Sequence, residues 1–172
     1  MKLRIGSVVV GFFSLVLSLT QLTFAQTAAT VTNPHLTLSP AAFICAAQGG
    51  CPNAVFDPAL GAMNNAQGTW AANVVIPQGA VVSAVKLCGN FNEDGSSITA
   101  TLDRIPLVAA SGFPSAVPMA TIKSTGASNQ TQCFKTTTIA NATINNTVNQ
   151  YYVVVVVPDN DGVIFTSVQV EY

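Results

Sequence analysis

The chain has 172 residues, only 8% of them charged, with six Lys and Arg against seven Asp and Glu. That balance excludes the basic patch that nucleic acid or an anionic membrane surface requires. Almost half of the residues are hydrophobic, so a packed core is available, and the polar remainder is mostly Thr, Asn, Gln and Ser.

Met1 to Ala25 reads as a secretory signal peptide. Lys2 and Arg4 precede an apolar run from Ile5 to Leu22, and Thr23-Phe24-Ala25 forms a small-x-small cleavage site before Gln26. The run is near the length that spans a bilayer, but the cleavage site favours removal. No Cys stands just after that site, so a lipid anchor is not expected. The expected mature chain has 147 residues, one domain's worth, with a net charge of −3. It would be secreted, extracellular or periplasmic, and free of the membrane once cleaved.

Residues 26–35 are a Thr- and Ala-rich lead-in with little to pack. Residues 36–172 form the single expected domain. Leu36–Leu38 and Ala54–Phe56 are weak strand candidates. Thr69 to Ile76 alternates, with Trp70, Ala72, Val74 and Ile76 on one face, and Pro77-Gln78-Gly79 turns the chain. Val81 to Phe91 follows, with Val81, Val85, Leu87 and Phe91 together. Asn92-Glu93-Asp94-Gly95 is the next turn. Ser97 to Ile105 places Ile98, Ala100 and Leu102 inward.

Pro106 to Pro118 is a longer connection. Met119–Lys123 and Gln132–Ile139 are further strands, and the polar stretch from Ala140 to Asn149 reads as loop. Tyr151 to Val157 is seven apolar residues in a row. Val163 to Tyr172 alternates to the end, with Ile164, Val168, Val170 and Tyr172 together. About eight or nine short strands separated by turn residues predict an all-β, antiparallel two-sheet β-sandwich of jelly-roll type. A terminal aromatic after alternating apolar residues also resembles the closing strand of outer-membrane β-barrels. Disulfides and Pro-rich connections weigh against that.

Four cysteines in an exported chain imply two disulfides, with three connectivities open. Cys45–Cys51, closing a Gly-rich loop, and Cys88–Cys133 are the favoured pairs. Cys88 shares a face with Lys86 and Cys133 with Lys135, so both cysteines point away from the apolar face and a cross-strand bridge is reasonable. The only His is His35, and the cysteine spacing is not that of a zinc site.

Candidate sites are sparse. Asp159 and Asp161 lie two apart on a turn and are the pair that would take Ca²⁺. Turns select Asp, Asn and Gly without any ion, and no other cofactor is expected. Trp70, Tyr151 and Tyr152 are the aromatics that would stack on a neutral glycan. Glu93 or Asp94 with Asp103 would be the carboxylate pair of a glycoside-active enzyme, but they flank a hairpin turn. Asn129, Asn141 and Asn145 begin glycosylation acceptor triplets. The outward valines of Tyr151–Val157 are either tolerated for β-propensity or covered by another surface. The expectation is a secreted or cell-surface, non-enzymatic structural and interaction module, self-associating as a homo-oligomer. The alternative is a carbohydrate-binding module.

Overall fold

The computed structural model describes residues 34–46, 51, 54–59, 61–64, 67–91, 97–108, 112, 114–126, 128–158 and 163–172. The expected signal peptide, nearly all of the lead-in, the Asn92–Gly95 turn, and Asp159 and Asp161 lie outside these residues. The described residues carry eleven strands: β1 (His35–Leu38), β2 (Ile44–Cys45), β3 (Val55–Asp57), β4 (Ala62–Asn64), β5 (Gly68–Asn73), β6 (Ala84–Phe91), β7 (Thr99–Pro106), β8 (Val117–Lys123), β9 (Ser128–Thr136), β10 (Asn149–Val157) and β11 (Val163–Glu171). That exceeds the eight or nine expected. The additions, β2 and β4, span two and three residues, too few to show a period. Among the described residues no helix is long and apolar enough to cross a membrane.

The strands form two antiparallel sheets. One runs β3-β4-β11-β6-β9, with β1 also pairing β11, and the other runs β2-β5-β10-β7-β8. From β4 onward the pairing is nested: β4 with β11, β5 with β10, β6 with β9 and β7 with β8. A long four-tier hairpin rolled into two sheets is the jelly-roll arrangement. The outer-membrane barrel reading is thereby overturned, because the strands close into two facing sheets with free edges rather than one continuous ring.

The facing sheets bury one apolar stripe per strand. Trp70, Ala72, Val74 and Ile76 are all inward, as are Ile98, Ala100 and Leu102. Phe43 meets Phe165 edge-on with ring centroids 5.0 Å apart, and Phe91 lies 5.5 Å from Phe134. Fully burying side chains of this size stabilises by roughly 1.5–3 kcal/mol each.

Three irregularities displace residues from the faces that strict alternation predicts. A bulge between Phe165 and Ser167 shifts the phase of β11, so Val163 and Phe165 are buried with Val168 and Val170 while Ile164 turns outward and is only half-buried. In β8 a second shift, opposite Leu102 and Asp103, leaves Met119 without a pairing partner and buries it next to Ala120. Pro118 is tolerated there because β8 is an edge strand. Third, Val81 is 56% exposed and Val82 is buried in its place. The chain before β6 leaves strand geometry to form a single bridge from Val81 to Thr143. Gly89 marks a close approach of β6 to its sheet neighbour β11. A Cβ there would sit 2.5 Å from the Ile164 carbonyl oxygen.

Both expected disulfides are present. Cys45–Cys51 spans 5.8 Å between α-carbons. Cys88 and Cys133 are direct cross-strand partners on β6 and β9, with α-carbons 4.2 Å apart. Cys133 is exposed as the alternation predicts, while Cys88 is covered on the same outer face at 6% exposure.

Candidate functional sites: an outer sheet face and a loop-end cleft

Strand β10 lies at the centre of the five-stranded sheet. Tyr151, Val153, Val155 and Val157 face the core, while Tyr152, Val154 and Val156 face outward. Cross-strand register builds the outer face in rows. One row reads Ile44, Ala71, Val154, Thr101 and Thr121. The next reads Thr69, Val156, Thr99 and Lys123. A third reads Asn73, Tyr152, Asp103 and Pro118. Ile44 is 71% and Val156 44% exposed. β-branched side chains dominate because they fit a pleated surface, and no long side chain except Lys123 and Tyr152 rises from these rows.

Asp103 is the one carboxylate in these rows. It is 7% exposed. Its Oδ2 accepts a hydrogen bond from the Thr101 hydroxyl at 3.2 Å, and its buried Oδ1 has no partner among the described residues. Burial pushes its pKa above the usual carboxylate value, and the Thr101 bond opposes that only in part. Lys123 is the other charged residue of these rows, and Arg104 follows Asp103 on β7. Lys86, Lys135 and Glu171 belong to the six-stranded sheet, where Lys135 and Glu171 pair at 2.6 Å.

The second feature is the Ala140–Asn149 loop at one end of the sandwich. Asn141 holds a left-handed backbone conformation (φ 52°), which Asn tolerates better than most residues. The loop is tied to its surroundings by backbone bonds from Ala140 N to the Met119 carbonyl, Val82 N to the Ala142 carbonyl and Ile144 N to the Ala80 carbonyl. The Asn145 amide donates to the Tyr151 hydroxyl at 2.7 Å, and the Asn146 side chain donates to the Ile76 carbonyl at 2.9 Å. Against this loop lies a cleft of about 420 Å³ lined by Arg104, Asn141, Thr143, Asn145, Val148 and Asn149, together with Ala142. A smaller one, about 270 Å³, adjoins Asn73, Gln150 and Tyr152.

The aromatics expected to stack on a glycan do not form a platform. Trp70 is part of the core at 7% exposure, because its position on β5 shares the inward parity of Ala72 and Val74. Tyr151 is buried on the inner face. Tyr152 is half-buried on the outer face and donates its hydroxyl proton to Gln150 Oε1 at 2.8 Å. The described carboxylates do not converge either. Asp57 accepts from the Ala59 amide at 2.8 Å, Glu171 is paired with Lys135, and Asp103 lies on the other sheet. Glu93 and Asp94 fall outside the described residues. Arg104 and Asn149 were not singled out from the sequence, and Asn141 and Asn145 were noted only as glycosylation acceptors. The density of Asn between 141 and 149 was the available signal, and it reads equally as turn chemistry.

Comparison with protein-family models and with curated protein sequences returned no match.

Proposed function

We propose that the protein is an exported, non-enzymatic structural and interaction module that associates with copies of itself through the outer face of the β2-β5-β10-β7-β8 sheet. The export half of this reading rests on the Met1–Ala25 pattern and on the two disulfides, which persist in oxidising compartments. The association half rests on one observation. The rows around Val154 and Val156 combine exposed Ile44 and Val156 with small threonines, and Lys123 is their only exposed charge. A chain of net charge −3 meets a copy of itself with least repulsion on such a face.

The size of the face sets the expected strength. Five strands about 4.8 Å apart, averaging about 20 Å of length, offer a flat area of about 500 Å². That is below the about 800 Å² per partner of a standard stable interface. The association is therefore weak and concentration-dependent, and gains strength in arrays. The carbohydrate-binding alternative draws its support from the amide-lined loop end, not from an aromatic row.

Light scattering after size exclusion, run on residues 26–172 over a range of concentrations, tests the reading. The expected result is a mass that rises with concentration. Val156→Lys should abolish that rise, since a symmetric contact would oppose like charges. Val81→Lys, at a somewhat more exposed valine outside the face, should leave it intact. A chain that stays monomeric at every concentration refutes the proposal.

A further inference from the structure

The geometry points to the cleft beside the Ala140–Asn149 loop as a binding site for an acidic saccharide, with Arg104 as the anchor for its carboxylate. This inference does not rest on self-association. Arg104 lies on β7, in register between Tyr151 of β10 and Val117 of β8, and its side chain lines the cleft of about 420 Å³. It is half-buried. The ion pair found among the described residues joins Lys135 to Glu171, and the Arg104 side chain makes neither an ion pair nor a hydrogen bond within the described residues. A planar guanidinium with five donors, weakly hydrated and set in a concave site, matches a carboxylate in bidentate fashion.

The rest of the lining defines the ligand further. Asn141, Asn145 and Asn149 supply amides and Thr143 a hydroxyl, groups that both donate to and accept from sugar hydroxyls. Among the described residues no acidic side chain lines the cleft, which favours an anion there. Val148 and Ala142 offer the small apolar area that the C–H face of a sugar ring needs. The volume falls within the about 300–1,000 Å³ range of small-ligand sites. The loop is already held in place. Its backbone is pinned to residues 80, 82 and 119, and the Asn145 carbonyl accepts from the Asn149 amide at 3.1 Å. A pre-ordered site loses little entropy on binding.

The test is an amide-resolved NMR titration of the mature chain with trigalacturonate, with its neutral counterpart galactotriose, and with inorganic sulfate. Trigalacturonate should shift the amides of residues 141–149 and the Arg104 side chain with a millimolar dissociation constant, at least about tenfold tighter than galactotriose. Arg104→Gln should remove that tenfold preference, and an otherwise unchanged spectrum would show that the variant folds. Arg104→Lys should recover only part of the preference, because the ammonium cannot bind bidentately. Equal affinity for the acidic and neutral sugars would overturn the role of Arg104. Sulfate shifting the same residues with affinity equal to trigalacturonate would overturn the saccharide and leave a simple anion site. No shifts with any of the three would overturn the site altogether.

Discussion

The two disulfides close loops of very different length, and this fixes a measurable hierarchy in their contributions to stability. Cys45 and Cys51 are six residues apart, Cys88 and Cys133 forty-five. On the chain-entropy model the shorter loop removes unfolded-state freedom worth about 2 kcal/mol and the longer about 4 kcal/mol. The local packing lost is similar in kind, since Cys88 is covered on the outer face of its sheet while Cys45 and Cys51 pack at the margin of the core. For a domain of this size the unfolding entropy is about 0.3 kcal/mol/K, so Cys88→Ala/Cys133→Ala should lower the melting temperature by about 13 °C and Cys45→Ala/Cys51→Ala by about 7 °C. Calorimetric melts of the two variants and of the wild type at one pH give the comparison. If the Cys45/Cys51 variant loses as much as the Cys88/Cys133 variant, or more, loop entropy is not the source of the stabilisation and the reasoning fails.

Asp103 makes stability pH-dependent with a definite sign. Its folded pKa is raised above the unfolded value, so the native state holds the proton more tightly, and its contribution is lost as pH rises. The loss begins at about pH 4, the unfolded value, and is complete once pH passes the raised folded value. Asp103→Asn should flatten this part of a stability-versus-pH curve measured by urea unfolding; an unchanged slope would show that the carboxyl is solvated in the folded state. Tyr151→Phe removes the acceptor of the Asn145 amide and should cost about 1–2 kcal/mol. It should also speed hydrogen exchange in residues 141–149, and exchange equal to the wild type would mean that the loop is held by its backbone bonds alone.

Strand existence was legible where a period could be counted. Thr69–Ile76 and Ser97–Ile105 alternate cleanly because each has one face on the core and one in water, and the same parity correctly set Cys88 opposite Cys133. The candidate sites were less legible. Trp70 shares the parity of Ala72 and Val74, which already favoured the core over a sugar platform. The outer valines of β10 were visible as an excess of apolar residues. Whether another strand, a loop or solvent faces them depends on β5 and β7, which lie some 50–80 residues earlier in the chain.

By itself, then, the sequence determined the longer strands, most of their inward faces and the two-sheet class, and favoured the cysteine pairing, because each follows from local periodicity and side-chain direction. Tertiary structure alone decided the rest. The bulges in β8 and β11 shift the alternation without a Gly or Pro signal at the bulged residue, so Met119 and Phe165 turn inward and Ile164 outward. The nesting of β4 with β11 and of β5 with β10 brings together segments 80–100 residues apart. Arg104 meets Asn141 and Asn145 only because β7 and β10 pair antiparallel and deliver their ends to the same side of the sandwich. Pairing across such distances is set by the summed burial of two whole faces, a quantity that no single window of sequence contains.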